Sequence, residues 1–454
     1  MDQDSEACKQ SDTMFIVWMR HLKKFKNEQL AAKLACQHYH GEPIDAVHHS
    51  QGSFNRCYRV KFRDGTDVLV RFPALGRSMF RREKLQDEIA VMEYLSRNTS
   101  IPIPQVLGHG TSAVGPYVVL EFVEGKSLSD YLRASHDPMM PSTLNPNIDI
   151  AILRQAYLTM AEILLQLSRC RFPAIGGLVK TDSWKWDIDK RAMTFNMNEL
   201  VGLGNFPPKM LSQSTFQTAN AYFLSLADDH LHHLETQRND AVADEADCRK
   251  KYVARCLFRQ IARQFSTAYN NGPFILFCDD LRPSNILVDA ELNLRSVIDW
   301  EFCYAAPVEF FHCSPWWLLL ARPEIWDAGF DDFVAHYIPR QKIFLEILRD
   351  REQALVESGI VLESPRLSEH MSQSLENGNF WFFLAATYSW AFDEIYWQFI
   401  HPKYYGQLDS IEDLVKLLSL DEQSRIGTFV GDKLKQSKEG GLDSHRTLQE
   451  MMDA

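Results

Sequence analysis

The sequence predicts an α+β fold of two lobes, a small β-rich N-terminal lobe and a larger, mainly helical C-terminal lobe. Three observations predict it. Between about residues 45 and 124 the chain carries short β-rich runs, CYRVKF, DVLVRF and PYVVLEFV, split by RDGTD and TSAVG. One helical stretch, REKLQDEIAVMEYLSRN, lies between the second and third runs, with Leu85, Ile89, Met92 and Leu95 on one face. After VEGKSL the apolar spacing turns helical for most of the remaining chain.

Taken in order, residues 12–38 have helical spacing at Phe15, Met19, Leu22, Leu30 and Leu34, so residues 1–44 read as a helical extension. The small lobe follows over 45–124, with RDG as a hairpin turn and LEFVEG, residues 120–125, as the hinge. The helical lobe then occupies 125–433. Residues 151–169, 215–236 and 250–269 read as long helices, and QRNDAVADEADCRKK between the last two as a solvated loop. Strands are expected at 274–278, 285–289 and 294–299, with helices beyond them. Residues 434–454 read as a flexible tail.

Composition bounds the function. Of 454 residues, 45% are hydrophobic and 24% charged, which allows an ordinary core. A formal net charge of −12 argues against nonspecific nucleic-acid binding, which needs a basic surface. Nine scattered cysteines without a CxxC pair fit a reducing compartment. The polar start MDQDSEACKQSD has neither a signal-peptide nor a transit-peptide pattern, and no run approaches the about 20 apolar residues of a membrane helix. The expectation is a cytoplasmic protein without a membrane partner.

The chemistry is concentrated in FCDDLRPSNILVD, residues 277–289, and VIDWEF, residues 297–302. Asp280 stands five residues before Asn285, and Asp299 follows nineteen after Asp280 at the end of its own apolar run. This order resembles the core of the protein-kinase-like fold. The paired blocks resemble, more specifically, the aminoglycoside phosphotransferase family. PWWLLL and GNFWFFLAA look like features of a large fungal branch of it. The resemblance covers roughly residues 45 to 410.

That resemblance implies a small-molecule phosphotransferase using Mg2+ and ATP or GTP. Asp280 would meet the acceptor hydroxyl, and Asn285 and Asp299 would hold magnesium, which prefers hard oxygen ligands. Arg71, in VLVRF, stands where kinases carry a phosphate-binding Lys, and Glu88 matches its carboxylate partner. Arg is not a conservative replacement for Lys, although guanidinium binds phosphate well. SQGSFNRCYRV takes the place of the phosphate-covering loop, with Gly52, Ser53 and Asn55 as candidate contacts. Glu121 and Val123, in the hinge, would offer backbone groups to the base.

Other residues have plainer readings. Asp279 reads as a solvated or loop-bracing carboxylate. Cys278, where the family usually has His, reads as inert if buried. HLHH, residues 230–233, reads as a solvated run. Trp381, Trp390 and Trp397, with Asp393 and Glu394, read as core packing before an aromatic cage. Glu301 reads either as a second magnesium contact or as a surface acid. A nucleotide-binding pseudokinase is the alternative function, motivated by Arg71 and Cys278. A protein kinase fits less well, because Trp300 and Glu301 follow Asp299 and no Ala-Pro-Glu comes after. The acceptor stays open among aminoglycosides, choline-like amines, amino alcohols, sugars and homoserine-like compounds, with cationic ones compatible with the acidic chain. Oligomeric state is equally open.

Overall fold

The computed structural model describes residues 1–454 except 138–139, 182–184, 361–364, 407–409 and 446–454. Five antiparallel strands build the small lobe: β1 (Pro43–Gln51), β2 (Asn55–Phe62), β3 (Asp67–Pro73), β4 (Val106–Ser112) and β5 (Gly115–Glu121), in the order β1-β2-β3-β5-β4. The β2–β3 turn closes as RDG predicts, with Gly65 at φ +88° and Thr66 N donating to Asp64 Oδ1 at 2.9 Å.

Alternation along the strands sets the two faces of this sheet. Tyr58, Val60, Phe62, Val68, Val70 and Phe72 face one way, onto α1 (Ser5–Lys24) and α2 (Asn27–Ala35). Trp18, Leu22, Ala31 and Leu34 supply the helical half of that core. The opposite face carries Val118 and Leu120 against Leu85, Ile89 and Met92 of α3 (Arg81–Asn98). Arg71 therefore points away from Val70 and Phe72, into the space between the lobes. Helix α1 also reaches the large lobe, where Ser11 Oγ donates to Gly202 O at 2.6 Å. Gly76 (φ +79°) is required at that crossing, because a Cβ there would stand 2.3 Å from Ser11 O.

The large lobe is built on the helices Ile150–Leu167, Ala219–Thr236, Glu245–Ala262, Phe330–Glu357 and Leu420–Glu439. The first passes, by length and composition, as apolar enough to cross a membrane, which the sequence reading did not expect. Its Leu153, Tyr157, Met160 and Leu164 are buried in the core of this lobe. Strand Phe274–Cys278 pairs antiparallel with Cys303–Pro307, and Ile286–Val288 pairs with Leu294–Val297. Cys303–Pro307 was expected to be helical. All five of its residues are buried, so it has no alternation for a period of two to register.

Three further expectations need correction. The stretch 237–251 is not a solvated loop: its second half begins the helix Glu245–Ala262, and Gln237, Ala241 and Val242 are buried. His230 and His233 are also buried rather than solvated. His230 Nδ1 meets Ser389 Oγ at 3.1 Å and His233 Nε2 meets Gln237 Oε1 at 2.7 Å. Burial pushes His230 down to about 3 and lowers His233 as well. Residues 434–439 continue the helix Leu420–Glu439 instead of starting a tail. Lys433 anchors it, donating to Gln237 O at 2.6 Å. The remainder of that tail from 446 lies outside the described residues. Trp381 is core, stacked on Phe399 with centroids 3.6 Å apart, and Asp393 is paired with Arg255 at 2.7 Å.

Candidate active site

A cleft of about 260 Å³ lies between the lobes. Gly52, Asn55, Arg71, Glu88, Glu121, Val123 and Asp299 all line it, although the chain separates the first from the last by 247 residues. Leu69 and Leu120 of the sheet and Leu287 and Ile298 of the large lobe give it apolar walls, suited to a flat base. Phe122 N donates to Asp67 O at 3.3 Å, and the segment Glu121–Gly125 borders the cleft. The Glu121 carboxylate turns back to its own sheet, accepting from Gln105 N at 3.2 Å.

Asp280 stands on a tight loop after strand Phe274–Cys278. Pro283, in the one-turn helix Pro283–Asn285, closes the loop, and Asn285 N donates to Arg282 O at 2.9 Å. The Asn285 amide donates to Asp280 O at 2.8 Å and lies 3.4 Å from Asp280 Oδ2. That leaves the Asn285 carbonyl oxygen to act as an acceptor. Arg282 Nε lies 3.0 Å from Asp280 Oδ1. Burial raises the Asp280 carboxyl, while Arg282 opposes the rise.

Asn285 and Asp299 flank two paired strands, Ile286–Val288 and Leu294–Val297, and the segments are also joined by Ile298 N donating to Asn285 O at 2.9 Å. Asp299 itself adopts φ +65°, the left-handed region. Asp tolerates this better than most residues, and the turn carries its carboxyl to the cleft. Trp300 anchors the turn, buried with Nε1 donating to Val297 O at 3.1 Å. Burial and then the neighbouring Glu301 hold the Asp299 carboxyl well above the usual range.

Arg71 ties these parts together. Its guanidinium pairs with Glu88 of α3, and Nη1 donates to Asp299 Oδ1 at 3.2 Å. Burial alone would lower the group, but Glu88 and then Asp299 raise it above its ordinary value. One turn before Glu88 on the same face of α3, Lys84 pairs with Glu301. Both are almost fully buried. Asn55 Nδ2 also donates to Glu301, at 3.2 Å. Asn55 is thus turned to a carboxylate, not presented as a free donor. Glu301 is buried rather than a surface acid, with its Oε2 held by Lys84 and Asn55. Ser53 is exposed, and a Cβ on Gly52 would meet open space. Lys84 was missed in the sequence, and its four-residue spacing from Glu88 was the available signal.

Cys278 is buried against Glu301 O, 3.6 Å from Sγ, and its thiol is raised first by Cys303 and then by burial. Asp279 is a loop brace rather than a solvated acid. Its carboxylate accepts from Phe195 N at 2.8 Å and from Tyr304 Oη at 3.3 Å. Burial pushes it up to about 7. The folded carboxyl keeps its proton to that pH, whereas the unfolded one releases it near about 4. Between these values the folded state binds more protons, so this group lowers stability as pH rises. Asp279→Asn keeps the acceptor and is expected to flatten the pH dependence of Tm between about 4 and 7. Thermal unfolding across that range checks it, and an unchanged slope would contradict the assignment.

Among the described residues no group of three or more His, Cys, Asp or Glu could hold a metal ion alone. Magnesium needs no such cage; a carboxylate and one more oxygen, completed by phosphate and water, suffice. Asn285 and Asp299 fit that pattern. The four acids Glu88, Asp280, Asp299 and Glu301 face three cations, Arg71, Lys84 and Arg282.

Comparison with known proteins adds the following. The profile described as the phosphotransferase enzyme family (APH) matches residues 45–343. Clavilactone A biosynthesis cluster protein Y of Ampulloclitocybe clavipes is 24% identical over 275 residues, 58% of this chain and 62% of that protein. Altered inheritance of mitochondria protein 9 of Yarrowia lipolytica is 22% identical over 340 residues, 67% of this chain and 55% of its own length. The chain thus spans little more than half the length of these two curated relatives. Among solved structures, a macrolide 2'-phosphotransferase type I is similar at 14% identity and TM-score 0.41, over 87% of this chain and 96% of the other. An amicoumacin kinase in complex with AMP-PNP, Ca2+ and Ami is 13% identical with TM-score 0.41, over 93% and 98%.

Proposed function

Since this chain belongs to the APH phosphotransferase enzyme family, we propose that it moves the γ-phosphoryl group of ATP or GTP to a hydroxyl of a small molecule. The observation that carries this reading is convergence. Asp299 meets the Arg71–Glu88 pair in the cleft, and its segment is joined by Ile298 N to Asn285 O, next to the loop where Asn285 holds Asp280.

The residues divide the work as follows. Asp280 accepts the proton of the acceptor hydroxyl as its oxygen bonds to the γ-phosphorus and the bond to the β-phosphate oxygen breaks, releasing the nucleoside diphosphate. Burial raises the Asp280 carboxyl above its ordinary value, the direction that favours proton uptake. Asn285 fixes the orientation of Asp280 and, with Asp299, would hold magnesium. Magnesium, when bound, neutralises polyphosphate charge. Arg71, braced by Glu88, would turn its Nη1 from Asp299 to the phosphates. Gly52 and Ser53 would lie over them, and the backbone of the Glu121–Gly125 segment would border the base.

A second reading keeps nucleotide binding without turnover. The specific observation in its favour is Arg71 Nη1 on Asp299, an ion pair occupying a carboxylate that magnesium would need. Both readings are tested by thermal shift with ATP and with GTP, with and without magnesium. A stabilisation that requires magnesium and is lost in Asp299→Asn is expected. A tenfold change in affinity is about 1.4 kcal/mol of stabilisation, which such a scan resolves. A nucleotide shift indifferent to magnesium and to Asp299 would favour the pseudokinase reading. No shift with either nucleotide would remove both.

A further inference from the structure

The acceptor is the open part of that reading, and this inference rests on it. We propose that the acceptor is a flat or apolar hydroxyl compound bearing an anionic group, carboxylate or phosphate, received by Arg322 while the hydroxyl reaches Asp280. A second cavity, of about 490 Å³, is lined by Ser53, Phe54, Phe195, Glu199, Asp280 and Arg322. It adjoins the nucleotide cleft at the 52–55 loop, so a molecule in it has Asp280 on its wall and the phosphate end of the cleft beside it.

Its unpaired charge is positive. The Arg322 guanidinium lies 4.7 Å from the Trp316 ring, 4.8 Å from Tyr388 and 5.7 Å from Phe195. Among the described residues it is in no ion pair. A guanidinium held against ring faces keeps its in-plane N–H donors for a planar or tetrahedral anion. It is close enough to oppose the rise of Asp280, Asp279, Glu199 and also Glu324, a buried carboxylate outside this cavity's wall. The other charges on the wall are largely answered. Arg282 is paired with Asp280, and Arg77 with Asp12 at 2.7 Å. Glu199 is the remaining acid, and burial pushes it up to about 7, leaving it about half charged at neutral pH.

A cationic acceptor would therefore meet the Arg322 guanidinium on this wall, despite the net charge of −12 over the whole chain. Net charge says nothing of where the charges lie. Phe54, Phe195 and Trp316 supply the apolar walls for the body of the molecule.

A matched series of para-substituted benzyl alcohols tests this: 4-(hydroxymethyl)benzoate, its methyl ester, 4-(aminomethyl)benzyl alcohol and 4-(hydroxymethyl)phenyl phosphate. Binding is read by tryptophan fluorescence and thermal shift on the full chain, and turnover by nucleoside diphosphate release. One or both anionic members are expected to bind at least about tenfold more tightly than the ester and the amine, as one charge-assisted contact implies. Which of the two binds separates a carboxylate from a phosphate source. Arg322→Met should remove the preference and Arg322→Lys should keep part of it, with nucleotide shifts unchanged in both. Equal or tighter binding of the amine, or no saturable binding of either anion, would overturn the proposal. If anion binding needs Arg322 but no nucleotide binds, the phosphotransferase reading fails and the anion site stands.

Discussion

Replacing Asp280 with alanine is expected to lower turnover by about 10²–10⁴-fold while leaving nucleotide binding nearly intact. Asp280 lies on the wall of the acceptor cavity and not among the residues lining the nucleotide cleft. Its carboxylate holds Arg282 and faces Asn285, and neither contact holds the lobes together. Loss of the carboxylate thus removes a proton acceptor without opening a core. Asp280→Asn separates the two effects further, because the amide keeps the contacts and cannot take the proton. Steady-state diphosphate release with an active acceptor, paired with a magnesium-dependent thermal shift, measures both. If the alanine variant turns over within a few-fold of wild type, Asp280 is not the base and the assignment of the loop fails.

Arg71→Met is expected to destabilise the fold by about 3–5 kcal/mol, because it leaves Glu88 buried without its partner. Arg71 and Glu88 are almost wholly enclosed, and Glu88 Oε1 already lacks a hydrogen-bond partner. The same change removes the group proposed to grip the phosphates, so nucleotide affinity should fall as well. Arg71→Lys keeps the charge on Glu88 and loses the reach to Asp299, so most of the stability should return. Urea unfolding gives the first quantity and nucleotide titration the second. A methionine variant as stable as wild type would mean that α3 does not depend on this pair.

Much of this site was legible in the chain because its spacings are short-range chemistry. A step of five positions from Asp280 to Asn285 is what a one-turn loop closed by Pro283 spans, and the apolar run before Asp299 marks the strand that leads to it. Alternation in VLVRF separated Arg71 from Val70 and Phe72 but left its side undecided. Only the packing of α1 and α2 on one face of the sheet gave Arg71 to the cleft. Asn55 stayed an open candidate for the same reason. A turn residue's local pattern is the same whether it faces phosphate or, as here, Glu301.

By itself, then, the sequence determined the two-lobed α+β order, the family, and the pair of motifs that carries Asp280, Asn285 and Asp299. Local periodicity and fixed spacings encode these, and each depends on a few neighbouring residues. Tertiary structure alone decided which charges meet. Lys84 pairs with Glu301 across 217 residues, Arg71 with Asp299 across 228, and Asp279 braces Phe195. It also buried His230 and His233 of HLHH, made a strand of Cys303–Pro307, and, among the described residues, left Arg322 without an ion pair between rings. Electrostatic energy depends on distance and burial, and neither is a property of the chain until it folds.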